Sequence, residues 1–387
     1  MVADKKKVLF VSTRFYPDSG GIERSVFNLA KGLSLLGYSV TVLCTGKLDE
    51  RIQTNGINVI RRKAWLTFSA NDINPLLFFD LLAQVRSHDL IITNEPNPFA
   101  NSLLSIIMLF FKKPLIVYYH SDIVRSGFFS ILKKVYESVF QRILFNKAVA
   151  ILSTTKVYQE ISDVLPRYKQ KLDVLPNSID LSAFTRPSQQ EIAEFRKRIG
   201  VVGKKVILFV GRLIYYKGLD YLLRAYAEVV KRDKSSVLVI VGIGVLETQL
   251  KSLAASLGIS ERVLFVGKVN DSDLKLYYSA SDFLVLPSIY KSEAFGIVLL
   301  EAMAYGLPVI TTTISGTKEV AHGAGTVVQP RDEKALTAAI LRLLGDDDLC
   351  HDLSIAALNR VRQYDSESVA KSLHEKIKNI LGRCLDS

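Results

Sequence analysis

The chain has 387 residues, too many for one ordinary hydrophobic core, so two domains are expected. Hydrophobic residues make up 49% and charged residues 23%, which excludes a disordered or fibrous chain. The net charge of +12 calls for an acidic partner or surface, and most of it lies early: residues 1–184 hold 23 Lys and Arg against 15 Asp and Glu.

The N-terminal M-V-A-D-K-K-K-V-L-F-V-S enters a strand at once, and its apolar run is too short for a secretory leader. The longest unbroken apolar run, Ile106 to Phe111, stops at Lys112-Lys113-Pro114, far short of the roughly 20 residues of a membrane span. Cys44, Cys350 and Cys384 have no metal or redox spacing and fit a reducing compartment. A cytoplasmic protein is the expectation. No zinc-finger, RNA-recognition or arginine-rich pattern occurs, so nucleic acid is not an expected partner.

Continuous Val/Ile/Leu runs alternate with amphipathic stretches along the whole chain. The first half predicts strands at Lys7–Ser12, Ser39–Cys44, Ile57–Arg61, Asp89–Thr93, Pro114–His120, Val149–Ser153 and Lys171–Leu175. The second half predicts them at Lys205–Val210, Ser236–Val241, Arg262–Val266, Asp282–Leu286, Pro308–Thr312 and Thr326–Val328. Such runs are expected of parallel strands covered on both faces, so the fold class is α/β with two doubly wound domains. The stretch L-P-N-S-I-D-L-S-A-F-T-R-P, with two prolines, interrupts the alternation and marks the boundary. Helices Leu349–Arg362 and Glu367–Leu381 close the chain.

Several stretches carry chemistry. Gly20-Gly21 sits just before a helix, where bare backbone N–H groups can approach an anion; an ordinary turn is the plainer account. His120 ends the strand P-L-I-V-Y-Y-H, a functional position in this architecture, with Asp122 beside it as an orienting partner or a helix cap. From residues alone a core histidine is the plainer reading. Between Phe129 and Lys147, apolar pairs recur every four residues (Ile131/Leu132, Val135/Tyr136, Val139/Phe140, Ile143/Leu144) with basic residues off the stripe. That pattern fits docking on an anionic bilayer, but packing on the domain's own sheet is favoured.

In the second half, Arg212 and Lys217 follow the first strand, at a helix start where acidic residues are usual. A guanidinium and an ammonium there suit a diphosphate. Gly242-Ile243-Gly244 is a weak nucleotide-loop signal that a tight turn explains equally well. Asp271-Ser272-Asp273 has a D-x-D form able to hold a divalent cation, but it opens a helix and N-capping explains it better; no metal is expected. Asp346-Asp347-Asp348 reads as a polar turn between helices. The stretch S-E-A-F-G-I-V-L-L-E-A-M-A-Y-G-L-P reads as a loop and a buried helix from about Gly296 to Tyr305. Glu301 is the sole charge in that helix and calls for donors, while Glu293 precedes it beside unpaired N–H groups.

In order and over nearly its whole length, the chain resembles the retaining glycosyltransferases of the GT-B fold, in the large family typified by bacterial mannosyltransferases. The resemblance rests on Gly20-Gly21, His120, L-P-N-S-I-D, G-R-L-x-x-x-K-G and P-S-x-x-x-S-E-A-F-G-x-x-x-L-E-A-M-A-x-G. It implies two Rossmann-like domains facing a central cleft. Residues 1–182, completed by a returning C-terminal helix at 366–387, would form the acceptor side; residues 183–365 would bind the donor.

The resemblance also implies roles. Glu301 would accept the hydroxyls of a nucleotide ribose. Glu293 would hold the donor sugar, with backbone N–H groups around Phe295 and Gly296 and with Ala294 and Ile297 beside them. Arg212 and Lys217 would neutralise the departing diphosphate, Gly20-Gly21 would close on phosphates or admit the acceptor, and His120 would contact the sugar near the reacting carbon. Lys318 stands where many relatives have proline, which departs from the family pattern. The implied reaction is metal-independent transfer of mannose or rhamnose, from a GDP-sugar in preference to other donors. The acceptor is a hydroxyl, with a lipid-linked oligosaccharide of lipopolysaccharide O-antigen synthesis as one form, and peripheral association with the cytoplasmic face of the inner membrane would follow. The alternatives are a sugar phosphorylase or epimerase of the same fold, or a non-catalytic sugar-nucleotide sensor.

Overall fold

The computed structural model describes residues 5–17, 20–68, 71–123, 129–314 and 316–385. The chain divides into two compact units: Met1–Ile179 with Asp365–Ser387, and Asp180–Tyr364.

The first unit holds β1 (Lys7–Val11), β2 (Ser39–Gly46), β3 (Glu50–Thr54), β4 (Ile57–Lys63), the hairpin of β5 (Leu66–Phe68) and β6 (Asn71–Ile73), then β7 (Leu90–Glu95), β8 (Leu115–Tyr119), β9 (Ala150–Ser153) and β10 (Leu172–Val174). Eight of these form one sheet in the order β10-β9-β8-β7-β1-β2-β4-β3. Every pairing in it is parallel except β3 with β4. The strands expected from apolar runs are all present, with small shifts at their ends. β3 was not expected: its E-R-I-Q-T is polar and largely exposed, as an edge strand can be.

Helix α1 (Gly21–Leu35) links β1 to β2 and packs against the C-terminal helix of the chain. The links that run the other way along the sheet are α2 (Leu77–Ser87), α3 (Pro98–Phe110), α4 (Phe129–Val135) with α5 (Arg142–Lys147), and α6 (Lys156–Ile161). Because crossovers are right-handed, these cover the opposite face. The α1 side of the core is formed by Val8, Phe10, Val40 and Val42 of the sheet, Leu29 and Leu33 of α1, and Val369, Leu373 and Ile377.

Between α4 and α5 the helix widens into a π turn, Tyr136–Gln141. The expected apolar stripe therefore does not pack as one row. Tyr136 and Leu144 are buried, whereas Ile131, Leu132, Val135 and Val139 are exposed. The reason lies at the end of β7. The Tyr136 hydroxyl reaches both Glu95 carboxylate oxygens, at 2.8 and 2.9 Å, and the Gln141 amide donates to the same carboxylate at 2.8 Å.

The second unit begins with α7 (Gln189–Arg198), closed by a capping box in which Ser188 and Glu191 exchange hydrogen bonds. Its strands are β11 (Lys205–Val210), β12 (Ser236–Val241), β13 (Val263–Gly267), β14 (Phe283–Leu286), β15 (Val309–Thr312) and β16 (Gly325–Val328), in the order β13-β12-β11-β14-β15-β16. Around them run α8 (Leu219–Arg232), α9 (Glu247–Ser256), α10 (Asp271–Ser279), α11 (Ile297–Ala304), α12 (Thr317–Val320), α13 (Glu333–Gly345) and α14 (Asp347–Val361). The last helix, α15 (Ser366–Leu385), belongs to the first unit.

Each large sheet reverses its direction of winding once. The reversal lies between β1 and β7 in the first unit and between β11 and β14 in the second. Loops leaving the carboxyl ends of such strand pairs splay apart and leave a crevice, the usual ligand position in open α/β sheets.

Candidate functional site

In the second unit the crevice is framed by the loops after β11 and β14. The first carries Arg212 and Lys217, the second Glu293. Both Lys217 and Glu293 are more than nine-tenths buried, and the lysine ammonium forms an ion pair with Glu293 Oε2. The Ser288 hydroxyl donates to the same oxygen at 3.1 Å. Main-chain bonds stitch the loops together, with the Ile289 N–H donating to Tyr216 O at 2.8 Å. Gly218 makes the approach possible. It has φ +68°, and a Cβ there would lie 2.2 Å from the Pro287 carbonyl oxygen. Arg212 stays exposed at the rim and reaches the Tyr216 hydroxyl at 3.4 Å.

After Glu293, Ala294 and Phe295 are buried, and Phe295 packs edge-on against Tyr364 at 5.7 Å. Gly296, with φ +77° and ψ 62°, turns the chain into α11, so Ile297 and its neighbours begin the helix with N–H groups pointing back out of it. Glu301, further along α11, is half-buried and accepts the Tyr278 hydroxyl at 2.7 Å. Tyr278 is itself stacked on Tyr305, ring centroids 5.5 Å apart. The donors that Glu301 is expected to need include at least the Tyr278 hydroxyl of the protein itself. The tyrosine lay in view, in the L-K-L-Y-Y-S of α10, but no local pattern links it to a glutamate on another helix.

Two weaker motifs resolve differently. In the G-I-G turn, a Cβ on Gly242 would lie 1.9 Å from Gly211 O, and one on Gly244 2.2 Å from Leu213 O. The Leu213 N–H donates to Ile243 O at 3.0 Å, so this turn is a backing that holds the Arg212 loop. At the D-x-D, the cap is the residue before it. The Asn270 side chain accepts the Asp273 N–H at 2.7 Å, and α10 starts at Asp271. Asp346 likewise caps α14, accepting the Leu349 N–H at 2.8 Å. Lys318, the departure from the family pattern, lies in α12, and Ser315 before it is outside the described residues.

In the first unit, Gly20 is extended (φ −165°) and caps α1, its carbonyl accepting the Arg24 N–H at 3.2 Å; Gly21 is the first residue of that helix. Residues 18–19 just before them are outside the described residues. His120 follows β8 and is 4% exposed. Its N–H donates to Glu95 O at 2.8 Å, and its Nε2 lies 3.0 Å from Asn94 Oδ1. Asn94 uses its Nδ2 to donate to Val11 O at 3.1 Å, so its oxygen must accept and His120 Nε2 must carry the hydrogen. Nδ1 is then a buried lone pair with no hydrogen bond of standard length among the described residues, although the Asn177 side chain lies close enough to interact with the ring. Burial pushes the imidazole pKa down to about 3, which keeps the ring neutral.

Asp122 is committed to structure. It accepts the Tyr119 hydroxyl at 2.7 Å, the Ser162 hydroxyl at 2.5 Å and the Asp163 N–H at 2.9 Å. Asn94 and Glu95 were missed by the sequence reading, which ended that strand at Thr93. The signal was N-E-P directly after an apolar run, polar residues at the carboxyl end of a parallel strand.

Comparison with known proteins matches the two halves separately. A family described as Glycosyltransferase Family 4 matches residues 19–183, and one described as Glycosyl transferases group 1 matches residues 191–360. The D-rhamnosyltransferase WbpZ of Pseudomonas aeruginosa is 31% identical over 92% of this chain and 90% of its own. The O-antigen chain mannosyltransferase C of Escherichia coli is 31% identical over 88% of this chain and 90% of its own. Among solved structures, Anabaena HepE in complex with UDP and glucose superposes with a TM-score of 0.77 at 20% identity, covering 97% of this chain and all of that one (100%). Sucrose-phosphate synthase from Thermosynechococcus elongatus gives 0.76 at 22% identity, covering 98% and 100%. With a family model on each half and relatives that run nearly end to end, the chain belongs to the glycosyltransferases of group 1 and family 4, and its fold is GT-B.

Proposed function

We propose that the protein transfers a sugar from a nucleoside diphosphate to a hydroxyl group, with retention at the anomeric carbon and without a metal ion. The buried Lys217–Glu293 pair at the point where the second sheet reverses carries this reading. A diphosphate gains negative charge as it leaves, and a cation fixed in a poorly solvated site stabilises that charge far better than one in water. Glu293 holds Lys217 in place and would accept a sugar hydroxyl. Arg212 adds a guanidinium at the rim, and the start of α11 adds N–H groups. Glu301 would take the ribose hydroxyls beside the Tyr278 hydroxyl.

His120 suits a sugar contact. Its Nδ1 lone pair would accept a hydroxyl donor, and burial keeps the ring neutral. No residue is assigned as a covalent nucleophile. The acceptor attacks from the face the diphosphate leaves, and the leaving phosphate oxygen takes its proton. GDP-mannose or GDP-rhamnose is the proposed donor and a lipid-linked saccharide of a surface polysaccharide the acceptor, supported by the names of the rhamnosyl- and mannosyltransferase relatives.

A panel of GDP-, UDP- and ADP-sugars, with product configuration read by NMR, tests the reading. The product should keep the donor's anomeric configuration, and turnover should persist in EDTA. Lys217→Ala should lower kcat by about 10²–10³-fold, the usual cost of losing a charge contact to a transition state. Inverted product, activity abolished by EDTA and restored by a divalent cation, or wild-type kcat in Lys217→Ala would each refute its part.

A further inference from the structure

The hairpin of β5 and β6 stands at the carboxyl edge of the first unit's sheet. Each strand has three residues, too few to hold together in water unaided. Asp72 of β6 fastens it. This buried carboxylate accepts Arg14 Nε and Nη2 at 2.9 and 3.0 Å and the Thr67 hydroxyl at 2.7 Å, and the Thr45 hydroxyl lies 3.2 Å away. Arg14 follows β1, so the bonds tie the hairpin to a loop that borders the reversal of this sheet. At the foot of the hairpin the Trp65 N–H donates to Ile73 O at 3.0 Å and the Asn74 amide to Lys63 O at 2.8 Å. Arg61 of β4 adds a further tie to the same loop, donating to Tyr16 O at 2.9 Å.

Held in this way, Trp65 is 64% exposed at the base of the hairpin, and it is the only tryptophan of the chain. A buried carboxylate with its full set of donors is a costly means of seating an indole in water, which points to a ligand that covers the ring. The surrounding charge says which kind. Arg14, Arg51, Arg61 and Arg62 are paired with Asp72, Asp80 and Glu50, and Asp49 lies 3.6 Å from Arg62. The other exposed cations here, Lys47 and Lys63, fall short of the cluster of about four to eight that an anionic membrane or a nucleic acid calls for. A pyranose fits instead. It carries no charge, its C–H face stacks on a rigid ring, and its rim of hydroxyls bonds to groups such as the Arg14 guanidinium, whose side chain is part-exposed beside the hairpin.

We propose that Trp65 is the stacking platform of a saccharide subsite on the first unit, and that a pyranose of the acceptor lies on it. The hairpin flanks the loop after β1, at the sheet edge where open α/β sheets take ligands. Asp72 and Arg14 set the height and angle of the platform, and the indole supplies the contact area. Calling the bound saccharide the acceptor rests on the transfer reading; the binding of a pyranoside to the ring does not.

Because no other indole is present, tryptophan fluorescence of the full chain reports on this subsite alone. Methyl α-mannoside and α-linked mannobiose, added without nucleotide sugar, should shift the emission to the blue and shield it from iodide quenching. Trp65→Ala should raise KM for a mannoside acceptor about tenfold while kcat changes by less than about twofold, and Trp65→Phe should recover most of the loss. Hydrolysis of the donor in the absence of acceptor should match the wild type in both variants. The proposal is overturned if neither saccharide moves the emission, or if Trp65→Ala keeps the wild-type KM. A shift produced by phosphatidylglycerol vesicles and by no saccharide also overturns it, since the indole would then be a lipid contact. If the wild type turns over no nucleotide sugar at all, the transfer reading fails, while the emission shift still decides whether the subsite takes a saccharide.

Discussion

At the scale of single residues, the first unit sets two titratable groups next to each other with opposite leanings. His120 is held neutral down to about 3, well below its ordinary 6.5, because burial penalises the imidazolium. As pH falls below 6.5 the unfolded chain takes up this proton before the folded one, so the fold loses stability from there down to about pH 3. His120→Asn should therefore lose less stability than the wild type between pH 7.5 and pH 5, read as urea midpoints. Glu95 is raised by burial, against the pull of its Tyr136, Gln141 and Asn101 donors. The folded chain keeps this proton above 4.5, where the unfolded chain has released it, so stability declines as pH rises through that range. Glu95→Gln should flatten that decline while leaving the amide and hydroxyl partners with an acceptor. A steeper decline in the variant would contradict the assignment.

Loops and helix starts carry most of the site, and their positions come from tight backbone contact. The Arg212 loop lies on the Gly242–Gly244 turn so closely that a single methyl group collides with a carbonyl oxygen. Gly244→Ala should cost about 1–3 kcal/mol, the range for overpacking a filled site. It should also raise KM for the nucleotide sugar, because Leu213 and its neighbour Arg212 must move. Thermal melting and steady-state kinetics on the same preparation check this, and an unchanged KM would separate the turn from donor binding. The π turn belongs to the same scale. An apolar stripe at four-residue spacing looks like a packing face until the insertion of one wider turn sends half of it outward.

Across the whole molecule, the chain returns to where it began. α15 lays Val369, Leu373 and Ile377 into the core beside Leu29 and Leu33 of α1, and Gly32 lies so near Ala370 that a Cβ there would sit 2.3 Å from the alanine methyl. The Tyr38 hydroxyl and His374 Nδ1 meet at 2.9 Å, and Lys376 pairs with Asp173. Leu373→Ala should cost about 2–5 kcal/mol, the usual penalty for emptying a buried leucine site. The loss should appear in the unfolding of the first unit, with nucleotide affinity of the second unit unchanged. A Leu373→Ala variant with wild-type stability would contradict this packing role.

Much of this was legible along the chain. Apolar runs of strand length located the sheet strands, and turn chemistry located Gly296 before α11, because both signals are local and periodic. Lys217 could be chosen singly beyond the carboxyl end of a strand, and Glu293 singly ahead of a buried helix. That they touch was not legible, nor were the Tyr278–Glu301 bond, the Asn94 partner that fixes the His120 tautomer, and the Glu95 clamp on the π turn. The sequence by itself determined which segments become strands and helices and which residues stand at their ends. Only the tertiary structure decided which ends are neighbours, because strand order is set by packing among distant segments and leaves no trace in local spacing.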